Sequence, residues 1–222
     1  MNYKIERYAE TLLPTQFGEF KCIIYRDVNG KEHIAMIAGS VAGQKSVLCR
    51  IHSECLTSEV LGSVKCDCKS QLDLALEKIQ NKGEGIVIYM RDEGRGIGLG
   101  NKIRAYALQE QGIDTVDANR MLGLPDDTRD YTIAAHILQD LQVESVSLMT
   151  NNPLKVNGLE NGGIIVESRV EHITDAPQHA IAYLEAKRAR MGHLLPEGGL
   201  QTGSNVSRFP SPLLATDKRI VN

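Results

Sequence analysis

Three of the chain's five cysteines fall in one stretch, Cys55-Leu-Thr-Ser-Glu-Val-Leu-Gly-Ser-Val-Lys-Cys66-Asp-Cys68. The Cys66-x-Cys68 pair is too short a loop to close a relaxed disulfide, whereas two thiolates two residues apart can point at one cation from a turn. Cys55 supplies a third sulfur. Soft thiolates select zinc among the common divalent ions, and structural zinc takes four protein ligands while catalytic zinc keeps one position for water. Three sulfurs therefore point to catalysis, unless His52 or Glu54 closes the site and makes it structural. The bland alternative is three reduced cysteines packed as small hydrophobes.

Other stretches are suited to anions or protons. From Glu93 to Arg104 glycine occupies every second position between Gly94 and Gly100, with Arg95, Lys102 and Arg104 interleaved. Backbone amides can approach a phosphate where side chains are so scarce. The run matches neither the dinucleotide fingerprint, which needs glycine at 101, nor a P-loop, and it reads equally as a tight strand-to-helix connection whose glycines permit positive φ. Thr150-Asn-Asn-Pro-Leu-Lys155 offers free amides at a helix start, a hydroxyl and an ammonium, as an anion site or an ordinary capped helix. Asp126-Asp127-Thr128-Arg129-Asp130 crowds carboxylates round a guanidinium, as a proton-transfer cluster or a charged cap. Tyr106 follows the glycine run as a packing residue or an acid.

The elements that must position these groups follow from patterning. Residues 4–13 and 19–26 read as strands joined by Thr15-Gln-Phe-Gly18. Asn29-Gly30 marks a hairpin into a strand at His33–Ala38, and Ser46–His52 is a fourth strand, so the first fifty residues look antiparallel. Leu72, Ala75, Leu76 and Ile79 have helical spacing, and Gly85–Met90 is a buried strand. Helices are expected at Asn101–Gln111, Thr115–Leu122 and Arg129–Leu141, then a strand at Val146–Thr150. Asn152-Pro153 should open another helix, followed by a strand at Gly163–Glu167 and a helix around Ile181–Met191. The expected fold is α/β tending to α+β, with N-terminal antiparallel strands joined to a mixed sheet and flanking helices in one main domain. That domain spans residues 1–195; residues 196–222, rich in Gly, Ser, Pro and Thr, read as a flexible tail.

Composition narrows the function. The 25 basic and 28 acidic residues leave a charge of −3, and three Phe with no Trp offer little for stacking bases, so nucleic acid is not an expected partner. No run approaches the roughly 18 apolar residues of a membrane span, and the N-terminus lacks a signal-peptide core. An odd number of cysteines without a secretion signal predicts reduced thiols in the cytoplasm, with Cys22 and Cys49 as bland strand residues.

The ordered strings Arg50-Ile-His-Ser-Glu-Cys-Leu-Thr, Lys65-Cys-Asp-Cys, Glu93-Gly-Arg-Gly-Ile-Gly-Leu, Asn101-Lys-Ile-Arg-Ala-Tyr-Ala-Leu-Gln, Thr115-Val-Asp-Ala-Asn, Arg129-Asp-Tyr, Thr150-Asn-Asn-Pro and Met191-Gly-His-Leu resemble GTP cyclohydrolase II, which opens riboflavin biosynthesis. The resemblance covers about Leu13 to Leu195. It implies conversion of GTP to formate, pyrophosphate and 2,5-diamino-6-(5-phosphoribosylamino)pyrimidin-4(3H)-one, with zinc on Cys55, Cys66 and Cys68 and magnesium on the triphosphate. By the same resemblance Tyr106 assists at the ring, Asp127 is a general base and Arg129 a nucleophile at the α-phosphorus. Arg50, Ile51, His52, Ser53, Glu54, Gln71, Glu93, Gly94, Arg95, Thr115, Thr150 and Lys155 match nucleotide-contacting positions.

The family is commonly a homodimer, and the length leaves no room for the dihydroxybutanone phosphate synthase domain often fused to it, so a stand-alone enzyme is expected. Departures from the family pattern fall at Gly100, at Thr128 and in the segment from Glu171 to His179, which looks short and less basic. The alternatives are a relative that opens a purine ring and stops at the formamidopyrimidine, and a non-catalytic zinc-stabilised nucleotide-binding protein.

Overall fold

The computed structural model describes residues 5–125 and 127–174, together with 192 and 194. The expected helix around Ile181–Met191 and the tail from 196 lie outside the described residues, as does Asp126.

Strands β1 (Ile5–Thr15), β2 (Gly18–Asp27) and β3 (Glu32–Ala38) form the expected meander, β1 pairing with β2 and β2 with β3 antiparallel. Its second turn works as Asn-Gly predicts: Asp27 Oδ1 accepts from the amides of Asn29 (2.8 Å) and Lys31 (2.9 Å), and Gly30 takes φ 76°. Strand β4 (Val47–Ser53) departs from expectation. It pairs parallel with both β5 (Gly85–Met90) and β6 (Ser145–Met149), and only β3 and β5 continue the antiparallel pattern. The reason is the connection: helices α1 (Leu56–Glu59) and α2 (Cys68–Lys82) lie between β4 and β5, and a crossover of that length returns a strand parallel. Strand β7 (Ile165–Val170) joins β6 in parallel, completing the order β1-β2-β3-β5-β4-β6-β7.

Alternation along the strands fills a core on each face. One holds Ile23, Tyr25, Cys49, Ile51, Ile88, Leu148 and the apolar side of α5 (Thr132–Asp140); the other holds Phe20, Val87 and Met149 against Ala75 and Ile79 of α2. Helix α6 (Pro153–Asn161) lies on α5, so close that a Cβ at Gly158 would stand 2.4 Å from Tyr131 Cβ. Helices α3 (Gly98–Gln109) and α4 (Thr115–Met121) fill the rest of the long crossover from β5 to β6. Among the described residues no helix is long and apolar enough to cross a membrane.

The expected helix from Arg129 starts later, at Thr132. Local carboxylates hold the preceding backbone out of the helix: Asp127 Oδ1 accepts the Arg129 amide (3.0 Å) and Asp130 Oδ1 the Thr132 amide (2.9 Å). The N-cap position itself falls to Tyr131, without a side-chain cap bond, so the charged cap expected of this cluster is not formed.

Candidate active site

Strand β4 connects to β5 on one side, and the chain then crosses back over β4 to reach β6 on the other. Ligands in open α/β sheets bind outside the carboxyl ends of strands at such a reversal. A pocket lies there, lined by the ends of β4 and β6, the Glu93–Gly96 turn after β5, and α3.

One end is sulfur. Cys55 begins α1, and Cys66 and Cys68 flank the start of α2, whose first residue is Cys68. Cys55 Sγ and Cys66 Sγ are 3.5 Å apart, and all three sulfurs lie within 4.8 Å of one another. Sulfurs sharing a zinc ion at about 2.3 Å stand about 3.8 Å apart in a tetrahedron, so the spacing fits that ion. Among the described residues no histidine or carboxylate joins the group. His52 is turned away, its Nε2–H on Glu59 Oε1 (2.7 Å), and Glu54 is paired with Arg91 (2.9 Å). Hydrogen bonds from Cys66 and Cys68, with the Lys102 ammonium 3.1 Å away, hold the Cys55 thiol far below the usual thiol range. Its bond to Cys55 raises the Cys66 thiol.

Glu59 also accepts from the Cys55 amide (3.1 Å) and from Tyr89 OH, so one buried carboxylate fixes α1 and the imidazole together. Burial lowers the His52 pKa, and the Glu59 contact only partly opposes it.

The other end is cationic. Arg50 is buried and donates to Met149 O (2.8 Å) and Gln71 Oε1 (2.5 Å), and its burial pulls the pKa down to about 10. Lys155, on α6, donates to Ile51 O (2.7 Å). Arg129 grips Asp127 at two points, Nε to Oδ1 (2.9 Å) and Nη2 to Oδ2 (2.5 Å), and reaches Ser53 Oγ (3.1 Å) with Nη1. Burial works to raise the Asp127 carboxyl, but the Arg129 hydrogen bonds outweigh it and hold the pKa below the usual range. Asn152 caps α6 as expected, its Oδ1 accepting the Leu154 amide (3.0 Å), with proline next in the chain.

The glycine run joins the two ends. Gly94 and Arg95 both take left-handed backbone, at φ 62° and 61°, which folds a tight turn. A Cβ at Gly96 would meet Thr128 Oγ1 at 2.1 Å, and Thr128 donates to Arg95 O through its amide (3.1 Å). Gly96 thereby lets the turn rest against the segment carrying Asp127 and Arg129.

The pocket gathers Arg50, His52, Ser53, Glu54, the three cysteines, Gln71, Glu93, Gly94, Arg95, Tyr106, Arg129, Thr150 and Lys155. Ile51 faces the core and presents only its carbonyl; Asp127 stands behind Arg129; the Thr115 side chain lies outside what is described. Of the cations in the glycine run, Arg104 is exposed, with Nη1 on Asn101 Oδ1 (3.1 Å), and does not line the pocket. Sequence reasoning singled out Lys102 and Tyr106 but not Ala105 and Gln109, which complete the pocket-lining face of α3; the face is mostly polar, so a search for apolar stripes misses it. It also missed His172, buried with Nε2 on Gln71 O (2.8 Å), for which no local signal exists.

Comparison with known proteins agrees with this geometry. The family profile described as GTP cyclohydrolase II matches residues 6–171. The riboflavin biosynthesis protein RibBA of Bacillus subtilis is 50% identical over 193 residues, which are 86% of this chain and 48% of that protein. The probable bifunctional riboflavin biosynthesis protein RIBA 2 of rice, a chloroplastic protein, is 48% identical over 90% of this chain and 37% of its own length. The monofunctional riboflavin biosynthesis protein RIBA 3 of Arabidopsis thaliana, also chloroplastic, is 48% identical over 86% of this chain and 38% of its own. The chain spans less than half the length of each of these relatives.

Proposed function

The chain belongs to the GTP cyclohydrolase II family, and from that premise we propose that it hydrolyses GTP to formate, pyrophosphate and 2,5-diamino-6-(5-phosphoribosylamino)pyrimidin-4(3H)-one, in riboflavin biosynthesis. One observation carries the reading: the three sulfurs open on the same pocket as Arg50, Arg129 and Lys155. A nucleotide with its base at the sulfur end reaches cations with its phosphates.

Cys55, Cys66 and Cys68 would hold zinc, which supplies Lewis acidity for attack at guanine C8 and loss of formate. Tyr106 lies on the pocket face of α3 with the Lys65 ammonium 4.8 Å from its ring centre, and in this reading donates a proton at the opening ring. Arg50 to Glu54, Gln71, Glu93 to Arg95, Thr115, Thr150 and Lys155 form the nucleotide site, Ile51 through its backbone. Magnesium bound with the GTP triphosphate would offset negative charge as pyrophosphate departs.

At the α-phosphate the Asp127–Arg129 pair does the work. A guanidinium is a poor nucleophile unless a carboxylate takes its proton as it attacks, and Asp127 already touches two of its nitrogens. Attack forms an N–P bond, expels pyrophosphate and leaves the proton on Asp127. Arg129→Lys tests this directly, because an amine cannot span Asp127 in the same way; undiminished release of both formate and pyrophosphate would remove the role. The same reading places a homodimer in the cytoplasm, where the five free cysteines stay reduced.

The deciding experiment incubates zinc-loaded protein with GTP and magnesium and follows all three products in one time course. Stoichiometric release, abolished in Cys66→Ser, is expected. Pyrophosphate without formate would replace this reading with ring opening that stops at the formamidopyrimidine. Binding of GTP with no product would replace it with a binding protein.

A further inference from the structure

Lys102 stands in a contact network that the proposed reaction leaves without a role. Its ammonium lies 3.1 Å from Cys55 Sγ and 2.8 Å from Glu93 Oε1, on a side chain only 11% exposed. Glu93 Oε1 also accepts the Gly94 amide (2.7 Å), and its Oε2 accepts the Leu56 amide (2.7 Å). One carboxylate therefore ties the ammonium to the residue that follows Cys55. Two of the three ammonium protons are committed, one to sulfur and one to carboxylate.

Three thiolates on a divalent ion leave one negative charge in excess. Cys55 and Cys66 are each 4% exposed, and an uncompensated charge at that depth is costly. An ammonium in contact with one of the sulfurs removes the excess. A charge-assisted N–H···S bond also draws electron density from the sulfur, so a bound ion is left more electrophilic, as hydrogen bonds to ligand sulfurs do at other metal centres.

We propose that Lys102 is a positioning residue of the metal centre, balancing the charge of the three-cysteine site and tuning Cys55, and is not a ligand of the triphosphate. The inference rests on the reading above only in taking the three cysteines to bind metal.

Lys102→Met keeps the length of the side chain and removes the charge; Lys102→Arg keeps the charge. The full chain is loaded with cobalt in place of zinc, its sulfur-to-cobalt charge-transfer band is recorded, and zinc affinity is measured by chelator competition. Lys102→Met is expected to move the band to lower energy and to weaken zinc binding by about 10- to 100-fold, the usual cost of losing an outer partner of a metal ligand. Lys102→Arg should restore most of both. With GTP, kcat falls and KM stays near that of the parent. Lys102→Gln gives the same readouts should the methionine variant fail to fold. An unmoved band with unchanged zinc affinity overturns the proposal, as does a rise in KM for GTP with both metal readouts unmoved, which would make Lys102 a phosphate ligand. A parent chain that takes up neither cobalt nor zinc would instead remove the metal reading itself.

Discussion

The two ends of the pocket are held in place by different means. At the sulfur end, side chains restrain side chains: Cys55 meets Cys66 and Lys102, and Lys102 meets Glu93. At the strand-end cations each side chain has a main-chain acceptor, Arg50 on Met149 O beside its bond to Gln71 Oε1, and Lys155 on Ile51 O. The first arrangement depends on charges that balance one another, so losing one member unbalances the rest. The second is fixed by where β4 and β6 stop, and its parts are more nearly independent. The Asp127–Arg129 pair lies near this second end but is built like the first.

Cys66→Ser presses hardest on the difference. Metal content and formate release should both fall to background while GTP still binds; retained metal at parental affinity would show that the sulfurs do not act as a unit. Next comes Asp127→Asn, which keeps the shape of the carboxylate and removes its charge. Pyrophosphate release should drop about 10²- to 10⁴-fold, the range for a lost proton-transfer group, with zinc content unchanged. Concurrent loss of zinc would mean that the two ends are one electrostatic unit.

Lys155→Met tests the main-chain side. It leaves Ile51 O buried without its donor and should cost about 1–3 kcal/mol by urea unfolding, again with parental metal affinity.

A pH profile sharpens the picture further. Burial, reinforced by Arg50, lowers the His172 pKa from 6.5 to about 3. The unfolded chain therefore takes up a proton that the folded chain refuses. Stability from this group is full above about 6.5 and is lost as the pH falls toward about 3. His172→Gln should flatten the dependence of the urea midpoint on pH between 6.5 and 4; an unaltered slope would reassign it to other groups. The smallest effect is expected from Cys49→Ala, which deletes one buried sulfur on the opposite face of β4. It should cost on the order of 1 kcal/mol and leave metal binding alone.

Much of this was legible beforehand because it is local. The Cys66-x-Cys68 spacing, the Asn29-Gly30 turn and the Asn152-Pro153 helix start each owe their geometry to neighbours in sequence. What escaped depends on partners far along the chain. The direction of β4 is set by a crossover whose length is not visible in the strand itself. Lys102 read as a phosphate ligand because it follows a glycine run, and only the packing of α3 brings it to Cys55. The start of α5 was misplaced because helical periodicity does not register that Asp127 and Asp130 compete for backbone amides. Glu59 ties Tyr89 of β5 to the stretch that carries His52 and Cys55, and no spacing announces that meeting.

The dispersal of the pocket along the chain has a consequence for the order of assembly. Its lining begins at Arg50 and extends to His172, which rests on the Gln71 carbonyl. On a ribosome, where the N-terminal part emerges first, the thiols of Cys55, Cys66 and Cys68 are made long before the strand and loop that complete their surroundings. During that interval the nascent chain carries accessible sulfur nucleophiles. Those sulfurs are therefore open to oxidation for longer during synthesis than after folding, when Cys55 and Cys66 are each 4% exposed.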